Sequence, residues 1–272
     1  MTGRSDGRGP RAGEHGNGRR AARVVPDMKI DIWSDVACPW CYLGSTRLHD
    51  ALSRFPHAEQ VQIAWHSYQL DPSLPEHYDG TETDYLSQRK GMPAERVREM
   101  HAQMTELGTA DGLAFAFDDV VVANSWRAHR LIQHAGELDR ADEQGTGPSR
   151  AERLEHELFV AHFEQGRDIG DVEELVRVAE SAGLDAEAAR EAVTTEEFDD
   201  RIREDVQAAQ MMGAQGVPFF VLEDQWAIPG AVETTAFEEA LASVWEKTHQ
   251  APTPVSIIGP TATDGACGPD GC

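Results

Sequence analysis

KIDIWSDVACPWCYLGSTRLHDALSR, residues 29–54, changes its hydrophobic period part-way along. Residues 29–35 alternate apolar and polar side chains and are rich in β-formers, which predicts a strand. From Cys38 onward, Leu43, Leu48 and Leu52 fall at roughly helical spacing. The change of period coincides with two cysteines separated by Pro39 and Trp40. A helix beginning at Cys38 sets that thiol beside unpaired N–H groups at the positive end of the helix dipole. That setting favours the thiolate, the form that attacks a disulfide. Cys41, close to one turn on, lies within reach to close a disulfide with it. Pro39 suits a first helical turn because it has no N–H to leave unpaired.

Working outward, VQIAWHSYQL (61–70) alternates again and predicts a second strand, ended by Asp71-Pro72. From about residue 82 to 212 the chain turns rich in Ala, Glu, Arg and Leu, with Gly and Pro as punctuation. Helices are predicted over 94–107, 123–139, 150–165, 171–182, 185–192 and 195–212, with no repeat period. Asp171 with Glu174, Asp185 with Ala188 and Thr195 with Phe198 read as capped starts, and only the first is a capping box by residue type. GVPFFVL (216–222) and QWAIPGA (225–231) predict a hairpin about Glu223-Asp224. Residues 234–248 predict a last helix with Phe237, Leu241 and Val244 on one face.

The 272 residues carry a net charge of −24. The first 27 hold six Arg against Asp6, Glu14 and Asp27, so the remainder carries −27. A body this acidic is a poor partner for nucleic acid or anionic lipid. No run approaches the roughly 20 apolar residues of a membrane span. The first 27 residues lack the apolar core of a secretory signal and read as a disordered Gly- and Arg-rich extension, with the structured protein starting near Met28. The expected compartment is the reducing cytoplasm, where a close cysteine pair is catalytic or metal-binding more often than structural.

SDVACPWCYLG (34–44), ANSWRAHRLIQHA (123–135), and GVPFFVL followed by IPGAV resemble the DsbA-like thioredoxin family. Within it the chain is most similar to the FrnE-like branch, related to 2-hydroxychromene-2-carboxylate isomerase. The resemblance spans about residues 28–248. It implies an α/β thioredoxin fold with an inserted all-helical domain: 28–80 and 213–250 as the thioredoxin unit, 81–212 as the insert, 251–272 as a flexible tail. It also implies a disulfide oxidoreductase acting on protein or small-molecule thiols and disulfides, with no cofactor beyond the cysteine pair. Cys38, the N-terminal and more exposed member, is the expected nucleophile and Cys41 the resolving thiol. Pro218 resembles the cis-proline that faces the dithiol in this fold. It would leave the Val217 backbone open to pair with an extended substrate; the plainer reading is a proline opening an edge strand. Trp40 departs from the pairings of strong oxidants and of thioredoxins, so oxidant, reductant and isomerase all stay open. Asn124, Ser125 and His129 match the family's helix over the active site and are candidates for substrate contact, or else caps and solvated polar groups. Asp35 is a candidate proton relay or a plain strand-end carboxylate. His134, His156 and His162 read as surface or half-buried, and Trp33 and Trp65 as core.

Cys267 and Cys272 form a second pair in the tail. FrnE-like members often end in such a pair, which implies a relay of electrons to Cys38-Cys41. A four-cysteine zinc site and an inert tail are the other readings. Two rival functions follow: a glutathione-dependent isomerase of the 2-hydroxychromene-2-carboxylate isomerase or kappa transferase type, and a zinc-holding redox chaperone. The first typically carries Ser where this chain has Cys38.

Overall fold

Strand β1 (Met28–Ser34) is buried along nearly its whole length, as a strand covered on both faces must be. In the computed structural model, which describes residues 27–76, 78–142 and 148–249, β1 lies parallel to β2 (Val61–Ser67), with Ile32 opposite Trp65 and Ser34 opposite Ser67. A parallel pair requires a crossover, and α1 (Pro39–Arg54) provides it. The chain returns to the sheet much later as β3 (Phe219–Leu222), antiparallel to β1, and β4 (Trp226–Pro229), antiparallel to β3. The sheet order is β2-β1-β3-β4. The final helix α9 (Thr234–Thr248) packs against α1. Phe237, Leu241 and Val244 join Ile30, Ile32, Leu48, Phe220 and Leu222 in one buried cluster.

Between β2 and β3 run α2 (Glu82–Lys90), α3 (Ala94–Ala110), α4 (Trp126–Ala141), α5 (Arg150–Phe159), α6 (Val172–Ser181), α7 (Ala186–Thr194) and α8 (Asp199–Met211). Helices α4, α5 and α8 contact β2, and Leu131, Leu154 and Leu158 continue the same buried cluster. Trp33 and Trp65 are buried as expected. Among the described residues no helix is long and apolar enough to cross a membrane.

Some predicted elements shift. β2 stops at Ser67, because the chain beyond turns toward Asp35, whose carboxylate takes the Leu70 N–H at 2.7 Å. Helix α2 was not among the predicted segments. It buries no side chain, so it has no apolar period, and its stability comes from a capping box between Thr81 and Asp84. Asp171 and Asp185 cap α6 and α7 as expected. Thr195 does not start a helix: it ends α7, and α8 begins at Asp199, after Phe198 turns inward to be buried.

Candidate active site

The turn from β1 into α1 is held by one side chain. Asp35 accepts the Ala37 N–H at 3.1 Å, an Asx turn, and the Leu70 N–H at 2.7 Å, which ties the end of β2 to the same point. Its backbone carbonyl accepts the Cys38 N–H at 2.9 Å. Cys38 is therefore delivered in an extended conformation to the N-cap of α1, with Pro39 in the first turn behind it. The Cys38 thiol donates toward the Val217 carbonyl at 3.7 Å. The Val217-Pro218 peptide is cis, and the Pro218 carbonyl accepts from the Gly230 N–H at 2.8 Å, tying this loop to β4. Gly44 permits the approach of α1 to this loop, since a Cβ there would meet Pro218 Cγ at 3.0 Å. The fold thus brings Cys38, Cys41, Val217 and Pro218 together across some 180 residues of sequence.

Both cysteines are buried and free, at 5% exposure for Cys38 and 1% for Cys41. Cys38 is the more accessible of the two, but by less than its N-terminal place suggests, because Val217 roofs it. Burial and the adjacent Cys38 sulfur push the Cys41 thiol well up, against the opposing pull of the Asp35 N–H and the Ser34 hydroxyl. Behind the pair lies an aromatic wall of Tyr42, Phe115, Phe117, Phe159 and Phe163. Tyr42 stacks on Phe159 at 5.0 Å and donates to Glu164 at 3.0 Å. Trp40, between the two cysteines in sequence, is 42% exposed, and Leu70, whose N–H binds Asp35, is 44% exposed.

The other predicted residues divide. Asp35 is no solvated strand-end carboxylate: it is buried, with His129 Nε2 at 3.4 Å from its Oδ1. Burial pushes its pKa up. The His129 imidazole beside it, with the Leu70 and Ala37 N–H groups, outweighs that and holds it below the usual carboxylate range. His129 is fully buried beneath Asp35, so a direct substrate contact is corrected to a contact with that carboxylate. Asn124 is likewise spent on structure. It accepts from Gln69 at 2.8 Å and from the Trp126 N–H at 2.9 Å, and donates to the Leu74 carbonyl, pinning the start of α4. Ser125 is buried at the N-cap of α4. His162 was expected at or near the surface. It is buried, in a π-helical turn (Val160–Glu164) that follows α5, and burial lowers its pKa to about 4. Cys267 and Cys272 lie outside the described residues.

Two site neighbours escape the sequence reading. Ser34, the last residue of β1, donates to Glu155 Oε1 on α5 at 2.6 Å, and both side chains are buried. The signal was present for Glu155. It falls on the apolar stripe of α5, with Ala151, Leu154, Leu158 and Phe159, where a charge is out of place.

The DSBA-like thioredoxin domain family matches residues 29–242, from the first strand to the last helix. The probable DsbA oxidoreductase SCO1869 from Streptomyces coelicolor is 34% identical, with a TM-score of 0.73, covering 90% of this chain and 98% of its own. The 2-hydroxychromene-2-carboxylate isomerase structure is 17% identical, with a TM-score of 0.58, covering 80% of this chain and 97% of its own. The cytosolic disulfide reductase DsbM from Pseudomonas aeruginosa is 16% identical, with a TM-score of 0.52 and coverages of 80% and 97%. The match includes the β1-α1 turn and the Val217-Pro218 loop that faces it, the two ends of the chain that build the dithiol site, and the chain belongs to the DsbA-like thioredoxin family.

Proposed function

We propose that the protein is a thiol-disulfide oxidoreductase of the FrnE-like kind, using Cys38 as nucleophile and Cys41 as resolving thiol on protein or small-molecule disulfides. The observation that carries this reading is the stacking order at the site: Val217 in front, Cys38 at the helix N-cap, Cys41 buried behind. Cys38, as thiolate, attacks one substrate sulfur. A Cys38–substrate disulfide forms, the substrate S–S bond breaks, and the other substrate sulfur leaves as thiolate. Cys41 then attacks the Cys38 sulfur and the second substrate thiolate leaves. The protein ends oxidised by two electrons and the substrate reduced by two; the reverse sequence oxidises a dithiol. The raised pKa of Cys41 supports this division of labour, since a buried thiol kept protonated does not compete for the first attack on a substrate disulfide. Trp40 and Leu70 offer apolar contact to a substrate strand laid along the Val217 backbone.

The test is insulin reduction driven by dithiothreitol. Cys38→Ser is expected to abolish it, and Cys41→Ser to accumulate a mixed disulfide at Cys38 that mass spectrometry detects. Wild-type activity in Cys38→Ser overturns the reading. Tight glutathione binding without thiol exchange would favour the isomerase instead.

A further inference from the structure

Helix α1 carries, besides the dithiol, one buried cation that the exchange described above leaves without a role. Arg47 follows Gly44 by one helical turn, so the two share a face of the helix. Its side chain is 5% exposed, and its guanidinium meets two distant parts of the chain. Nε donates to Asp111 Oδ2 at 2.8 Å, at the C-terminal end of α3. Nη1 donates to the Ala231 carbonyl at 3.1 Å and the Val232 carbonyl at 3.5 Å, and pairs with Glu233 Oε1 at 3.0 Å. A guanidinium is costly to bury, and its planar fork holds several acceptors at fixed angles where a lysine ammonium offers a point charge.

The stretch 230–233, between β4 and α9, is what this fork holds. The Gly230 N–H binds the Pro218 carbonyl at 2.8 Å, and the Val232 N–H turns back to the Gly230 carbonyl at 3.1 Å. Ala231 packs against the buried cluster of Cys38, Cys41 and Tyr42, as does Val217. The carbonyls of Ala231 and Val232 have left the sheet, and Arg47 satisfies them. A chain of contacts thus runs from Arg47 through residues 230 and 231 to Pro218, and on to the Val217 carbonyl 3.7 Å from the Cys38 sulfur.

We propose that Arg47 is a positioning residue for polypeptide substrates. By fixing 230–233 it fixes the Val217-Pro218 backbone, and so the alignment of an extended chain laid along that backbone with the Cys38 sulfur. The inference rests on the oxidoreductase reading and divides its substrates. A disulfide within an extended polypeptide depends on Arg47, and a small disulfide with no backbone to pair does not. Arg47 touches no substrate and acts through Gly230 and Pro218.

Pre-reduced full-length chain is mixed with excess of either a peptide holding one disulfide or hydroxyethyl disulfide, and loss of protein thiol is followed over a range of concentrations. Arg47→Met keeps the stem and removes the fork. It is expected to raise the half-saturating peptide concentration about tenfold, with the limiting rate within about twofold of wild type. Its rate with hydroxyethyl disulfide, and alkylation of Cys38 by iodoacetamide, should stay within about twofold. Arg54→Met removes an exposed arginine of the same helix that bonds Glu238 of α9 at 2.8 Å, and should leave every one of these rates unchanged. If Arg47→Met does not fold, Arg47→Lys decides: it keeps the charge and loses the fork, and should raise the half-saturating peptide concentration about threefold or more. Equal slowing with both disulfides shows a general loosening of the fold and overturns the positioning role, as does an unchanged half-saturation for the peptide. A wild type that reduces neither disulfide overturns the oxidoreductase reading itself.

Discussion

At the scale of single residues, close contact and charge placement decide the site. Gly44 shows the first. A Cβ at this position would lie 3.0 Å from Pro218 Cγ and 3.3 Å from Ala231, against a ring and a backbone that cannot swing aside. Gly44→Ala should therefore cost about 1–3 kcal/mol by overpacking and lower disulfide reduction several-fold, because α1 must retreat from the Val217-Pro218 loop. Gly136→Ala on α4 is the control. Its nearest neighbour is the mobile end of Arg140 at 3.4 Å, so the usual helix gain of about 0.5–1 kcal/mol over Gly is expected. Denaturant midpoints of the two variants should move in opposite directions. Charge placement is the harder matter. Cys38 and Cys41 announce themselves by spacing, whereas Asp35, Glu155 and His162 look like any polar residue until their burial is seen. Glu155 on an apolar stripe was the only local hint.

At the scale of elements, turn and cap chemistry was legible and packing without periodicity was not. The β3-β4 turn is an instance of the first. Glu223 and Asp224 both sit at positive φ, 51° and 52°, the geometry of a type I′ hairpin that favours Gly at the second position. Asp224→Gly is expected to stabilise the protein by roughly 0.5–1 kcal/mol, read as a higher urea midpoint at unchanged m-value. Asp171 and Asp185 were readable as caps because each accepts an N–H two or three residues on, within its own turn. Helix α2 was not readable, since its capping box is not followed by any buried face. Thr195 looked like a cap by type, yet tertiary demand for burying Phe198 moved the start of α8 to Asp199, whose carboxylate accepts from Arg130 at 2.6 Å and from the Trp126 indole at 2.9 Å.

At the scale of the whole molecule, the sheet and the helical segment between β2 and β3 are joined by polar clamps as well as by the shared apolar core. His66 on β2 bonds Asp31 on β1 at 2.6 Å and Asp205 on α8 at 2.8 Å, while its ring stacks on Trp33 at 4.3 Å. Burial alone would lower its pKa, but the two carboxylates, Asp205 first, raise it to about 9. A folded-state pKa above the unfolded one means stability that is complete below about 6.5 and lost as pH rises through about 9. The difference is on the order of 3 kcal/mol. Urea titrations of the wild type and His66→Gln at about pH 6 and about pH 10 should therefore converge at the higher pH; a constant gap would show that His66 acts by packing alone. The sequence by itself determined the strand-dithiol-helix opening, the Val-Pro hairpin and the cap signals, because each rests on interactions within about four residues of chain. The tertiary structure alone decided that His129 serves Asp35, that Asn124 braces α4, and that Ser34 meets Glu155 across 121 residues. Those contacts depend on how helices from the middle of the chain dock on the sheet, and burial, which sets the charge state of each group, exists only once they have docked.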